Sequence, residues 1–123
     1  FSQDSFSPCF SDGGSVDDLA AALKTDTSLA GKLDPLRLVR LEDLPSGVQQ
    51  RLTSQGAQAG DLFSLDNRRL SAYKQSGVSA YAVILDQKQL RETGINIDRR
   101  FSTKNAGRCC VARSLPSGGC RPR

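Results

Sequence analysis

Four consecutive polar residues near the middle of the chain, Asp66, Asn67, Arg68 and Arg69, have the types and spacing to bind an anion. A short apolar run precedes them and a helical pattern begins at Leu70, so a strand, a tight turn and a helix N-terminus are predicted in line. Unpaired backbone N–H groups and the positive end of the helix dipole beside two guanidinium groups suit a phosphate. The alternative is a capped helix in which Asp66 or Asn67 accepts a backbone N–H and the arginines are solvated.

In the catalytic interpretation, Asn67, Arg68 and Arg69 bind phosphate and stabilise developing negative charge. Asp66 is then the candidate for proton transfer or metal binding. The chain has no histidine, which excludes histidine-dependent nucleases, the usual serine-hydrolase triad and His-ligated zinc enzymes. The spacing of the carboxylates gives no metal-ligand signature, so no metal ligands are assigned, although a divalent metal or a nucleotide would suit the chemistry as a cofactor.

Two further polar segments are candidates for substrate contacts. Gln3 and Ser5 belong to an N-terminal arm and would contact the substrate if that arm folds over the site. Ser102, Thr103 and Lys104 offer two hydroxyls and an ammonium just before a predicted turn. The alternatives are a simple polar arm and an exposed loop.

Length, charge and composition limit the classes of protein to which this chain can belong. The 123 residues suit one domain with one modest core, and a net charge of +4 with a pI near 9.1 fits a nucleic-acid or nucleotide partner without demanding one. No stretch approaches the roughly 20 apolar residues of a membrane span. No signal peptide is visible, and the absence of an initial methionine predicts a processed or excised fragment, although a cloning boundary would look the same.

The cysteines form no recognisable framework, because no C-x-x-C motif is present and two of them are adjacent. Their irregular spacing favours reduced or opportunistically oxidised thiols, with bridges as the alternative. They are Cys9, Cys109, Cys110 and Cys120.

Local patterns then predict the elements that position the candidate site. Helices are predicted over 15–24, 48–52, 67–75 and 86–92, and strands over 36–41, 61–65, 78–85 and 108–113. The run 78–85 is the most apolar in the chain and is predicted to be a buried strand, and Phe63, Tyr73 and Tyr81 are predicted core aromatics. These elements predict a small single domain of the α/β or α+β class over residues 1–113, followed by a flexible tail over 114–123. The favoured form is α+β, with a short mixed sheet and several short helices.

The whole pattern resembles the C-terminal toxin domains of bacterial polymorphic toxins of the Rhs and contact-dependent-inhibition kind. The resemblance covers most of residues 1–112, and its most specific part is the Asp-Asn-Arg-Arg-Leu block at 66–70. The matching segments are the Gln-x-Ser arm at 3–5, the turn Phe10–Gly13, the helix with Asp18-Leu19 and Leu23, the strand Pro35–Val39, the block Ser64–Val78, and Phe101–Gly107.

The strand–turn–helix segment with paired basic residues is also similar to the ParB/sulfiredoxin superfamily, in which such a turn holds nucleotide phosphates. By position, Asp66, Asn67 and Arg68 would stand in the phosphate turn with Arg69 beside it. This turn has neither the glycine nor the histidine of that pattern, which leaves room for Asp66 as a base or metal ligand.

These resemblances imply a secreted antibacterial or cytotoxic effector, delivered by a larger toxin, that acts on nucleic acid or a nucleotide in the target-cell cytoplasm. A nuclease is the favoured form. The alternatives are an ADP-ribosyltransferase or other NAD-consuming toxin, and a non-catalytic basic module that binds nucleic acid or protein. The implied partner is an immunity protein whose acidic face covers Arg68 and Arg69. The domain is expected to be monomeric and not to insert into a membrane.

Overall fold

A computed structural model describes residues 1–3, 5–7, 9–10, 14–107 and 111–112 of the chain. The strands are β1 (Ser5–Phe6), β2 (Leu36–Arg40), β3 (Leu62–Ser64), β4 (Ala82–Leu85) and β5 (Val111–Ala112). The α-helices are α1 (Val16–Thr25), α2 (Ser46–Ser54), α3 (Asn67–Ser76), α4 (Gln87–Glu92) and α5 (Ile97–Arg100), and 3₁₀ turns cover Thr27–Lys32 and Leu41–Asp43.

A mixed three-stranded sheet lies at the centre, with strand order β3-β2-β4. Strand β2 runs antiparallel to β3 and parallel to β4, so that Val39 lies opposite both Phe63 and Leu85. With the helices around it, this sheet confirms the predicted small α+β domain. A second, two-stranded parallel pairing joins β1 to β5 and ties the N-terminal arm to the end of the described chain.

The two faces of the sheet are covered by separate apolar clusters. Because side chains alternate along a strand, Leu36 packs with α1 and α3 on one face, whereas the fully buried Val39 packs with residues of α2 and α4 on the other. Arg37 is two residues from Val39 and therefore shares its face. The Arg37 guanidinium therefore extends from the same face of the sheet as the buried Val39.

Helix ends agree closely with the sequence signals. Ser15 caps α1 by accepting a hydrogen bond from the Asp18 backbone N–H at 3.0 Å. Asp86 and Gln89 form a reciprocal capping box at the start of α4. Gly77 ends α3 in the left-handed conformation, with φ of 72°.

The apolar run 78–85 was wrongly predicted as a buried strand. Only Ala82–Leu85 is strand, and Leu85 is its one buried residue. Tyr81, predicted as core, is 65% exposed, whereas Phe63 and Tyr73 are buried as predicted. The reason is position: within the described chain β4 pairs with β2 alone and forms an edge of the sheet, so its other side meets no strand.

The N-terminal arm differs from expectation in its chemistry. Cys9 takes part in a disulfide bond, whereas the irregular cysteine spacing favoured reduced or opportunistically oxidised thiols. Cys109, Cys110 and Cys120 lie outside the described residues, as does the predicted tail over 114–123. Within the predicted strand 108–113, the described part is the two residues of β5.

Candidate functional site

An open pocket of about 370 Å³ lies where the N-terminal arm meets the sheet and the start of α3; we call it the arginine pocket. Among the described residues, four arginines and one carboxylate line it, so the described lining is positively charged. Its lining residues are Gln3, Ser7, Phe10, Arg37, Leu65, Asp66, Asn67, Arg68, Arg69 and Arg100. The four residues singled out in the sequence at 66–69 are therefore together in one concave site, joined by Gln3 of the predicted contact residues.

Asp66 is held between two arginines. Its carboxylate accepts hydrogen bonds from the Arg37 side chain, with Nη2–Oδ1 at 2.8 Å and Nε–Oδ2 at 3.1 Å, and from the Arg37 backbone N–H at 2.8 Å. Arg69 Nη2 lies 3.1 Å from the same Oδ2. Such a two-pronged guanidinium–carboxylate contact fixes the orientation of both partners.

The protonation state of Asp66 follows from these contacts. Burial of the carboxylate raises its pKa, but the hydrogen bonds from Arg37 and the charges of Arg69 and Arg37 outweigh burial, so the pKa lies below the ordinary 3.8. A general base works best when its pKa is near the working pH. The geometry therefore favours Asp66 as the residue that positions Arg37 and Arg69.

Asn67 fastens the N-terminal arm to α3. Its side chain is buried, its Oδ1 accepts from the Ser2 backbone N–H at 3.0 Å, and its Nδ2 donates to Ser2 Oγ at 2.9 Å. The same Nδ2 donates to Gln3 Oε1 at 3.2 Å, which holds the Gln3 amide at the pocket. Asp66 occupies the N-cap position of α3 but makes no side-chain capping bond, so the capped-helix interpretation of Asp66 is wrong.

Arg68 and Arg69 are both fixed by carbonyl oxygens from elsewhere in the chain. Arg68 Nη1 donates to the Cys9 carbonyl at 2.5 Å, and its guanidinium lies over the Phe10 ring, 5.4 Å from the centroid. Arg69 Nη1 donates to the Asp34 carbonyl. Neither arginine is simply solvated, and both are held in place before any ligand arrives.

Arg37 and Arg100 complete the pocket and were not assigned to the site from the sequence. Arg37 could have been suspected, since a charged side chain within the apolar pattern of β2 needs a polar partner on the core face. Arg100 Nη1 donates to the Leu65 carbonyl at 2.6 Å. The one available signal for Arg100 was the arginine pair at 99–100, which repeats the pair at 68–69.

The segment 102–104 is not brought to the pocket. Thr103 is buried and organises its own turn, where its hydroxyl oxygen accepts from the Gly107 backbone N–H at 2.9 Å. Ser102 and Lys104 are exposed, and none of these three residues is among those that line the pocket. Ser5 lies in β1, and Ser7 of the same arm lines the pocket.

Two classes of feature are missing from the described part of the chain. Across residues 1–3, 5–7, 9–10, 14–107 and 111–112, no group of three or more metal-ligating side chains lies together. In the same residues, no helix combines the length and apolar character needed to cross a bilayer.

Comparisons with known proteins leave the site to be interpreted from its own geometry. No protein-family model, no curated protein and no solved structure matches this chain.

Proposed function

We propose that this chain is an effector domain that binds a phosphate of a nucleic acid or nucleotide in the arginine pocket and acts on that substrate, with nuclease activity as the favoured form. The observation that supports the proposal is the presence of four arginines around one concave site of about 370 Å³. Guanidinium groups match phosphate oxygens in both charge and planar geometry, which makes arginine the preferred residue for such sites.

The pocket is suited to charge stabilisation rather than to proton abstraction. Each of the four arginines is tethered by a backbone carbonyl or by Asp66, so their N–H donors need little rearrangement when negative charge develops on a substrate. Asp66 is ionised and engaged by Arg37 and Arg69. In this proposal, the arginines hold the phosphate and stabilise the transition state, and the nucleophile would be a water molecule, which a metal ion arriving with the substrate could activate.

The biological setting is part of the same proposal. We infer delivery as part of a larger secreted toxin and action in the target-cell cytoplasm, with the monomeric domain as the acting unit. An immunity protein with an acidic face would neutralise the domain by covering Arg68 and Arg69, two of the arginines that line the pocket. The positive charge of the pocket supports a partner whose contacting surface is acidic.

A non-catalytic module is the second candidate. It is favoured by the pairing of Asp66, the sole carboxylate that lines the described pocket, with two arginines. In that case the pocket binds nucleic acid without consuming it, and the affinity falls steeply with salt.

The test is expression of the domain in a naive bacterium, followed by inspection of total RNA, genomic DNA and nucleotide pools. We expect growth arrest with degraded RNA or nicked DNA, loss of both effects in Arg68→Ala, and full toxicity in Arg99→Ala, an exposed arginine outside the pocket. Vanished NAD with intact nucleic acid would favour the NAD-consuming alternative. Toxicity with every pool intact and salt-sensitive binding would favour the non-catalytic module, and full toxicity of Arg68→Ala would reject the pocket as the site.

A further inference from the structure

The four arginines of the pocket are not equivalent. Arg37 and Arg69 share the Asp66 carboxylate, which offsets part of their charge. Arg100 is tethered by a neutral group, the Leu65 carbonyl at 2.6 Å, and within the described residues it forms no ion pair. Its full positive charge is therefore available to a ligand, and its side chain is already oriented by the carbonyl contact.

The shape of the pocket limits what the ligand presents. Arginines that follow a polynucleotide backbone lie along a stripe or groove, because the phosphates repeat along the strand. Here they come from β2, from the first turn of α3 and from the end of α5, and they line one open pocket of about 370 Å³. That volume is at the lower end of the range for small-molecule sites, about 300–1,000 Å³, and suits one compact anionic group.

The charge excess points to the same kind of group. An internal phosphodiester carries one negative charge, whereas a terminal phosphate carries about −1.5 to −2 at neutral pH and exposes three acceptor oxygens. Among the described residues of the lining, Arg37, Arg69 and Arg100 stand against the Asp66 carboxylate, which leaves two positive charges before Arg68 is counted. A terminal phosphate therefore balances more of this positive charge than an internal phosphodiester does. Its three oxygens can also accept hydrogen bonds from arginines that come from different elements.

We infer that the arginine pocket recognises a terminal phosphate, a phosphomonoester rather than an internal phosphodiester, and that Arg100 is its anchoring residue. This inference rests on the proposed function, which requires only that some phosphate of the substrate enters the pocket. The terminal phosphate can belong to the end of a polynucleotide or to a free mononucleotide, since both present the same group.

The test compares two single-stranded oligonucleotides of identical sequence, one with a 5′-phosphate and one with a 5′-hydroxyl, by fluorescence anisotropy in a chelator that slows metal-dependent turnover. We expect the 5′-phosphorylated strand to bind about 10- to 100-fold more tightly, the effect of charged hydrogen bonds to one guanidinium group. Arg100→Gln should remove this preference, so that the 5′-phosphorylated strand binds no more tightly than the 5′-hydroxyl strand. The matched control is Arg99→Gln, which alters the neighbouring exposed arginine of α5 and should keep the preference.

Competition by adenosine monophosphate and by inorganic phosphate identifies the source of the group. Displacement of the labelled strand by the mononucleotide supports a free nucleotide as ligand, and displacement only by another 5′-phosphorylated strand supports a polynucleotide end. Arg100→Lys keeps the charge without the planar fork and should retain part of the preference, which guards against a Gln variant that folds poorly.

Equal affinity for the two strands in the unmodified protein, or a preference that survives in Arg100→Gln, would overturn the inference. If both strands bind equally and both lose affinity in Arg68→Gln, the phosphate pocket stands and only the terminal-phosphate inference fails. If neither strand depends on Arg68, the proposed function fails as well.

Discussion

Replacement of Asp66 by asparagine separates a positioning role from a catalytic one. The substitution preserves size and one acceptor oxygen but removes the charge that holds Arg37 and Arg69. The Asp66 side chain is only 9% exposed, so water cannot fully replace the lost contacts. We expect the folded state to become less stable and the two guanidinium groups to repel each other.

The magnitude can be bounded from the exposure of the partners. Removing one member of a fully buried ion pair costs about 3–5 kcal/mol, whereas an exposed pair contributes about 0–1 kcal/mol. Arg37 is 38% exposed and Arg69 21%, so the Asp66 network lies between these limits. We therefore expect Asp66→Asn to lower the free energy of unfolding by about 2 kcal/mol. For a domain of this size that corresponds to a fall in Tm of about 6–10 °C.

The assay is thermal unfolding at neutral pH, with Asp98→Asn as the control. Asp98 lies 3.4 Å from Arg51 in a pair whose side chains are 78% and 51% exposed, so the control changes the net charge equally but breaks a surface contact. It should lower the free energy of unfolding by less than about 0.5 kcal/mol. Equal Tm values for the Asp66→Asn variant and the unmodified protein would refute the argument that this carboxylate organises the pocket.

The pH dependence gives a second check on Asp66. Its pKa is lowered on folding because the contacts with Arg37 and Arg69 outweigh the opposing effect of burial. The carboxylate therefore stabilises the fold fully above its unfolded pKa, near 3.8, and this contribution is lost as the pH falls through the lower folded value. The Tm difference between the unmodified protein and Asp66→Asn should be constant from about pH 5 to 8 and shrink below about pH 4. If the activity of the unmodified protein changes with an ionisation near neutral pH, and that ionisation is missing in Asp66→Asn, the result would instead support Asp66 as a general base.

Two further substitutions test how the N-terminal arm closes the pocket. Asn67→Ala leaves the buried polar groups of Ser2 without their partner and should cost about 1–3 kcal/mol, with faster hydrogen exchange in residues 1–3 as the specific readout. Unchanged hydrogen exchange in residues 1–3 would contradict the inference that Asn67 holds the N-terminal arm against α3. Gly107→Ala should cost at least about 1–3 kcal/mol, because φ is 73° and an added Cβ would collide with the Phe1 carbonyl. The control Gly47→Ala, in α2 with nothing within 4 Å of the new Cβ, should stabilise the protein by up to about 1 kcal/mol, and a comparable loss in both variants would contradict the steric argument.

Much of the local structure was predictable because its causes lie within a few residues. The caps at Ser15 and Asp86 and the terminating Gly77 depend on side chains that bond to their own turn or on a single backbone conformation. The strand–turn–helix around residue 66 follows from a change of hydrophobic period over about a dozen residues. The sequence by itself therefore determined α1 to α4, β2 and β3, the α+β character of the domain, and the presence of a basic turn at the start of α3.

Tertiary structure decided which residues form the site. Arg37 and Asp66 are 29 positions apart and Arg100 and Leu65 are 35 apart, and only the packing of β2, α3 and α5 brings these pairs into contact. No local sequence pattern encodes contacts between residues so far apart in the chain. For that reason Asp66 was predicted to be a free base or a helix cap, and Arg100 was not assigned to the site. The exposure of β4 has the same origin, because hydrophobicity predicts a strand but not whether a neighbouring strand will cover its edge.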